Sequence, residues 1–451
     1  MLELLINTLK GFEGVEYLIN ESKMRRIENY NIKKQSEMLR EVELTQLMLT
    51  LYVTFSATGE DGKNVKYRGA YNTEIHPGTS PDRLRTIIEQ GVFAAGFVKN
   101  AWFPLVMPSA PEAAATAAGK SDGIDEMSVL AALQEAFYSA DCHERGHICY
   151  SEFFLTRSDV RIINSSGVDV SYTTYNAYVE TAVHWQSEQG GEIEIYETYN
   201  FSIPKDVGAT CEMLKERISH LFTVAEKKSA ATPTPSVGED IDILLSGDCL
   251  VEFFDYFHMR TSAAMIYQQL STYKENEQIQ GGTDKPGDKI AMTLKPLMEG
   301  STHSRLYDDD GMPVSDHRII ENGKLLKYWG NTRFSSYLDI APTGSINNFH
   351  ITGGTVSSAE LRAKPHLELV SFSAFQANPV TGDFGSEIRL GFYFDGKKTI
   401  PVTGGSITGN ISQIQDAMRM SVEERQYNRY LGPATISIRG ASISGVAGSA
   451  D

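Results

Sequence analysis

The sequence predicts an α+β protein in which helices and antiparallel strands mix without a β-α-β rhythm. Three observations predict it. Segments such as M-L-T-L-Y-V-T-F-S, residues 48–56, alternate apolar and polar side chains with period two. Separate stretches carry apolar residues at helical spacing, as Leu250, Phe253, Phe254 and Phe257 do. The strand segments are joined by short turns such as N-S-S-G and Q-G-G-E, which suit a meander.

The elements follow in order. An amphipathic N-terminal helix carries Leu2, Leu5, Ile6 and Leu9; with Glu3 and Glu13 this argues against a signal peptide. Ser80-Pro81-Asp82 opens another helix, with Ser80 as its cap and Pro81 in its first turn. Leu84, Ile87, Ile88 and Ala95 form its apolar face. A helix at about 125–139 begins the central part. Strands are expected at 148–157, 160–164, 170–185 and 192–201, with Ser158-Asp159 as a turn between the first two. Leu214, Ile218, Leu221 and Phe222 then mark a closing helix. After the helix of Leu250 to Phe257, R-I-I-E-N-G-K-L-L-K-Y-W predicts a hairpin at Asn322-Gly323. A last helix is expected near 409–421, ahead of the strand A-T-I-S-I-R-G.

A chain of 451 residues exceeds one compact core. Two segments rich in small residues and proline, 108–123 and 227–240, read as linkers. They divide the chain into three expected domains, 1–107, 124–226 and 240–447. The 41% hydrophobic and 22% charged content is that of a soluble globular protein. No apolar run of about 18 residues exists, so no membrane span is expected. Four cysteines without a regular framework suggest a reducing compartment, the cytoplasm. A net charge of −17 argues against a broad nucleic-acid surface, which needs Lys and Arg on phosphates.

Several stretches could carry chemistry. D-C-H-E-R-G-H-I-C-Y, residues 141–150, contains His143-Glu144-x-x-His147, the pattern that holds zinc and a general base when it lies on a helix. Gly146 inside that turn costs a helix about 1 kcal/mol relative to alanine. Strand follows at once, so a polar turn is the expectation. An autonomous zinc peptidase built on these three residues is the competing reading; it needs helix across 141–149 and a third ligand from elsewhere. Cys142, His143, His147 and Cys149 form a second possible ligand set, in which adjacent ligands fit one tetrahedron poorly. Y-D-D-D-G, residues 307–311, lacks the alternation of a calcium loop and reads as a solvated turn. N-P-V-T-G-D-F, residues 378–384, and I-T-G-N, residues 407–410, read as turns that would also let a peptide backbone approach closely.

Four motifs then occur in a telling order: S-R-L-Y-D-D-D-G-M-P, I-I-E-N-G-K-L-L-K-Y, N-P-V-T-G-D-F and T-I-P-V-T-G-G-S-I-T-G-N. Together they resemble the TldD/PmbA family, across residues 240–445. The family is described as modulators of DNA gyrase and as TldD-related metallopeptidases, and its two branches work as a pair on unfolded or extended peptides. The TldD branch carries zinc through H-E-x-x-x-H on the first helix of the C-terminal part, plus a late cysteine. The PmbA (TldE) branch lacks these ligands.

Matched without gaps, V-E-F-F-D-Y, residues 251–256, falls where the metal branch has H-E-x-x-x-H. Val251 and Tyr256 replace both imidazoles, and no cysteine follows Cys249. Glu252 remains, but a base without metal-bound water has little to activate. His258 lies six residues after Glu252, off the side such a site needs. The resemblance therefore implies a PmbA/TldE-like, non-catalytic subunit without a metal or cofactor of its own, zinc being expected only in a TldD-like partner. That partner, or a second copy in a homodimeric peptide-binding or modulator protein, and a peptide are the implied associates. Neither direct nucleic-acid binding nor membrane association is expected. Arg305, Asn347, Asn378, Asp383 and Asn410, in or beside the motifs, are the candidate polar lining for a peptide held by its main chain.

Overall fold

The computed structural model describes residues 1–58, 62–109, 123–204, 206–237, 241–281 and 287–446. Its first half is built on very long antiparallel strands. β1 (Val15–Ile32), β2 (Gln35–Thr58), β3 (Asn64–Glu74) and β4 (Asn100–Ala101) join β5 (Gly146–Asn164), β6 (Asp169–Gln186) and β7 (Glu192–Ser202). The sheet order is β4-β3-β2-β1-β5-β6-β7. β1 pairs with β2 on one side and with β5 on the other, from Leu18 opposite Asn164 to Ile32 opposite Tyr150. Segments 1–107 and 124–226, expected as separate domains, therefore share one sheet. The physical reason is that β1 carries ladder donors and acceptors on both edges, and β5 satisfies the second edge. Of the expected linker between them, 110–122 lie outside the described residues.

Four helices cover one face of this sheet. α1 (Leu2–Leu9) buries Leu2, Leu5 and Leu9, and α2 (Pro81–Ala95) buries Leu84 and Ile88, against Ile19, Leu49 and Leu51. Ser80 caps α2 by accepting from the Arg83 amide at 3.3 Å. α3 (Glu126–Ser139) and α4 (Gly208–Ser229) set Leu133, Phe137, Leu214, Ile218 and Phe222 on Phe153, Leu155 and Val179. On the opposite face Leu18, Tyr52, Phe103, Leu105 and Ile162 meet Tyr307 and Tyr337 of the C-terminal half.

Ser158 and Asp159, expected as a turn, lie inside β5. Ser158 stands opposite Met24 on β1 and Thr174 on β6. A turn there would orphan ladder groups on two neighbouring strands. The Asp159 carboxylate is accommodated by accepting from Thr173 Oγ1 at 2.6 Å.

The C-terminal half places α5 (Cys249–Arg260) between two sheets. A six-stranded sheet includes Ala291–Leu294, His317–Glu321 and Phe349–Thr352; a ten-stranded one includes Asp242–Ser246, His366–Phe372, Asp383–Phe394 and Thr435–Ile438. Leu250, Phe253, Phe254 and Phe257 of α5 are fully buried among side chains of both sheets. The Phe254 ring stacks on Tyr430 with centroids 5.6 Å apart. Each such side chain contributes about 1.5–3 kcal/mol by burial. The hairpin turns at Asn322 and Gly323 with φ of 50° and 71°, the left-handed pair of a type I′ turn.

Two expectations change here. The helix expected near 409–421 is only Ile411–Ile414 plus a 3-10 turn to Ala417. Arg419–Met420 then joins Thr435–Ile438 as a strand, drawn in by burial of Met418 and Met420 and by the Asp288 carboxylate, which accepts from the Met420 amide at 2.6 Å. The expected linker 227–240 is largely ordered structure: α4 runs to Ser229, and Thr232–Pro233 pairs with Val402 and Thr403. Its residues 238–240 lie outside the described residues. Among the described residues no helix is long and apolar enough to cross a membrane.

Candidate functional site

The H-E-R-G-H stretch is not helical. Strand β5 begins at Gly146, and residues 141–145 are irregular chain that bends at Glu144-Arg145. The two imidazoles point to different sides of the sheet. His143 packs on the helix-covered side, 4.4 Å from the Phe222 ring and 5.6 Å from Trp185. His147 stands beside His184, its cross-strand neighbour, at 4.9 Å. Gly146 has its own reason to be there, because a Cβ would lie 2.5 Å from Trp185 Cε3. The Cys149 thiol is pushed up to about 11, by burial first and then by Glu194, which disfavours the thiolate a metal needs. Among the described residues no three His, Cys, Asp or Glu side chains converge as a metal-binding group.

The D-D-D-G turn also differs from the expectation. Asp308 is buried rather than solvated, and its carboxylate accepts from the amides of Asp310, Met312 and Ser345 at 2.9–3.1 Å. Those amides occupy it as a turn organiser. Asp310 is pushed up to about 7, by burial and then by Asp308 and Asp309.

α5 carries the most concentrated polar chemistry of the C-terminal half. Because both its sides face a sheet, its polar residues are drawn into the interior along with its phenylalanines. Val251 packs against the core, and Tyr256 is 2% exposed. The residues at these two positions do not fit a metal ion: one is apolar, the other a buried phenol. Burial and the neighbouring Asp255 raise the Glu252 carboxyl. Asp255 behaves oppositely. Burial would raise it, but hydrogen bonds from His258 and Arg429 outweigh this and bring it down to about 2. Asp255 Oδ1 meets His258 Nδ1 at 3.2 Å and Arg429 Nη1 at 2.7 Å. His258 Nε2 lies 2.9 Å from the Ile346 carbonyl, and its ring stacks between Trp329 and Phe349 at 4.4 and 5.2 Å.

One turn around the helix, Tyr256 and Arg260 meet the loop Asn378-Pro-Val-Thr-Gly-Asp383. Arg260 Nη1 donates to the carbonyls of Pro379 and Val380 at 3.3 and 2.6 Å. Inside the loop, Asn378 Oδ1 accepts from the Val380 and Thr381 amides. Asn410 Nδ2 donates to the Thr381 carbonyl and to Asp383 Oδ1 at 2.9 and 2.8 Å. Hydrogen bonds from Asn410 and from the Thr381 hydroxyl hold the exposed Asp383 carboxyl below its usual range.

The structure thus brings Asn378, Asp383 and Asn410 together in one rim beside Tyr256. Arg305 and Asn347 lie apart from it. Arg305 donates to Asp309 at 2.5 Å and to the Ser345 carbonyl at 3.2 Å. Asn347 follows the Ile346 carbonyl that meets His258, and the buried amide of that segment is its neighbour Asn348, which pairs with Ser301 at 2.7 Å. Sequence reasoning set His258 aside and gave no role to Asp255, Arg260 or Arg429. Spacing on α5 could have found two of them, since Arg260 follows Tyr256 by one turn and His258 follows Asp255 by three residues. Arg429 comes from a distant segment and carried no signal.

Residues 238–445 match the family described as the PmbA/TldA metallopeptidase C-terminal domain. An uncharacterized protein of Methanocaldococcus jannaschii is 23% identical over 290 residues, which cover 61% of this chain and 65% of that protein. The metalloprotease PmbA homolog of Haemophilus influenzae is 22% identical over 316 residues, covering 64% and 67%. The chain thus spans about two thirds of the length of the curated relatives it matches. Among solved structures, a proposed DNA gyrase modulator from Thermotoga maritima aligns with a TM-score of 0.72 over 98% of both chains, at 16% identity. TldE from Thermococcus kodakarensis aligns with a TM-score of 0.71 over 99% of this chain and 100% of its own, at 17% identity. At such identity the structures establish the fold, and residues 238–445, a little under half of the chain, carry the C-terminal domain of the TldD/PmbA family.

Proposed function

We propose that this chain is a TldE-like, non-catalytic subunit of a TldD-type metallopeptidase system, working in the cytoplasm on unfolded or extended peptides. The observation that carries the reading is α5. Where the metal branch has H-E-x-x-x-H, this helix has Val251, Glu252 and Tyr256, an apolar residue and a buried phenol around an orphaned carboxylate. The rim of Asn378, Asp383 and Asn410 beside that helix is where an extended peptide would lie, held chiefly by its main chain. The metal-bearing partner would supply the zinc-bound water. The turn-to-strand conformation around His143 and His147 speaks against an autonomous peptidase.

The test is co-expression with a TldD-like subunit from the same genome. The two chains should co-elute, and chelator-sensitive cleavage of an unfolded peptide should require both. The purified chain alone should hold clearly substoichiometric zinc, iron and manganese. Chelator-sensitive cleavage by this chain alone, lost on replacing His143 or His147, would sink the proposal.

A further inference from the structure

Arg260 is over-provided with donors and short of acceptors. It is 8% exposed, yet its contacts among the described residues are two carbonyls and two aromatic faces. The faces are those of Tyr256 and Tyr273, 5.2 and 4.6 Å from the guanidinium carbon. None of the ion pairs among the described residues includes it, although its charge is largely removed from water. Its Nε is buried without a hydrogen-bond partner, and so is the Tyr273 hydroxyl beside it. Burial, then the Tyr256 phenol, pushes Tyr273 up against the lowering pull of the adjacent Arg260, so its hydroxyl keeps its proton. Buried donors are ordinarily satisfied, and two orphans beside one guanidinium call for an acceptor.

We propose that Arg260 and Tyr273 form a carboxylate-binding subsite, in which Arg260 Nε and the Tyr273 hydroxyl donate to a carboxylate of a captured peptide. The inference rests on the peptide-capture reading above and adds the chemistry of one end of the ligand. A planar guanidinium suits a carboxylate, and one cation in a chain of net charge −17 suits a monoanion better than a phosphate. The Tyr273 ring is only partly buried while its hydroxyl is shut from solvent, so a ligand enters with a shift of that ring. The carboxylate could be the C-terminus of the peptide or an Asp or Glu side chain within it.

The test titrates the purified full chain with trialanine, trialanine amide and acetyl-Ala-Glu-Ala amide. N-acetylalanine serves as a peptide-free probe, followed at the Arg260 Nε resonance by NMR. Trialanine should bind about tenfold or more tightly than its amide. The Glu peptide decides whether a side-chain carboxylate serves as well as a terminal one. The preference should vanish in Arg260→Gln and fall several-fold in Tyr273→Phe, with thermal unfolding confirming that both variants fold. If Arg260→Gln fails to fold, Tyr273→Phe decides. Equal binding of acid and amide peptides, or a preference that survives Arg260→Gln, overturns the subsite while leaving peptide capture intact. A response to N-acetylalanine without peptide binding supports the subsite and counts against capture. No response to any probe overturns the subsite and leaves capture unsupported.

Discussion

Asp255 offers a pH-dependent test of how α5 is held. Its carboxyl lies at about 2 in the folded chain, against an ordinary value of 3.8. A difference of nearly two units corresponds to about 2.5 kcal/mol. The folded-state value is depressed, so this stability is fully present above about pH 5 and is lost as pH falls through about 2. Asp255→Asn removes the anion while His258 and Arg429 keep side-chain exposures of only 2% and 20%. Breaking a buried pair in this way costs about 3–5 kcal/mol, and the exposure of Arg429 argues for the lower end. Trp329 is a convenient reporter, since its ring stacks on His258 and its Nε1 donates to the His258 carbonyl at 2.8 Å. Urea unfolding would be followed by Trp329 emission with Trp102 and Trp185 replaced by Phe. At pH 7 the Asp255→Asn chain should be less stable by about 3 kcal/mol, and the gap should close by about 2 kcal/mol between pH 5 and pH 2. A gap under about 0.5 kcal/mol at pH 7, or one that stays constant down to pH 2, would refute the reasoning.

Two further outcomes follow from backbone geometry. Gly382 has φ of 82°, and a Cβ there would stand 3.2 Å from Tyr256 Cε2 and 3.3 Å from Asn410 Oδ1. Gly382→Ala should therefore cost about 1–3 kcal/mol, read by the same Trp329 transition; an unchanged midpoint would show that the rim is not packed on Tyr256 as described. Ser158→Pro removes a ladder donor from the middle of a sheet. It should destabilise the first half by about 3 kcal/mol or more in circular-dichroism melts, whereas a turn at Ser158-Asp159 would tolerate it.

Much of the fold was legible because its causes are local. Ser80 and Pro81 start α2, Asn322-Gly323 turns the hairpin, and the Leu250–Phe257 stripe makes α5, each from chemistry within a few residues. That α5 carries Val251 and Tyr256, neither of them an imidazole, was legible too. Other features needed partners from far along the chain. Ser158-Asp159 looks like a turn in isolation and is strand only because β1 and β6 flank it. Segments 1–107 and 124–226 look separate and are one sheet because β1 pairs with β5. Asp255 and Arg429 are 174 residues apart, and Arg260 meets a loop about 120 residues away, so no spacing rule reaches them. The amino-acid sequence alone determined most of the helices and turns and their caps, since these follow from side-chain chemistry and short-range periodicity. Only the tertiary structure decided which strands share an edge and which charges are buried together. Long-range pairing and desolvation depend on where distant segments meet, which is set by the packing of the whole chain.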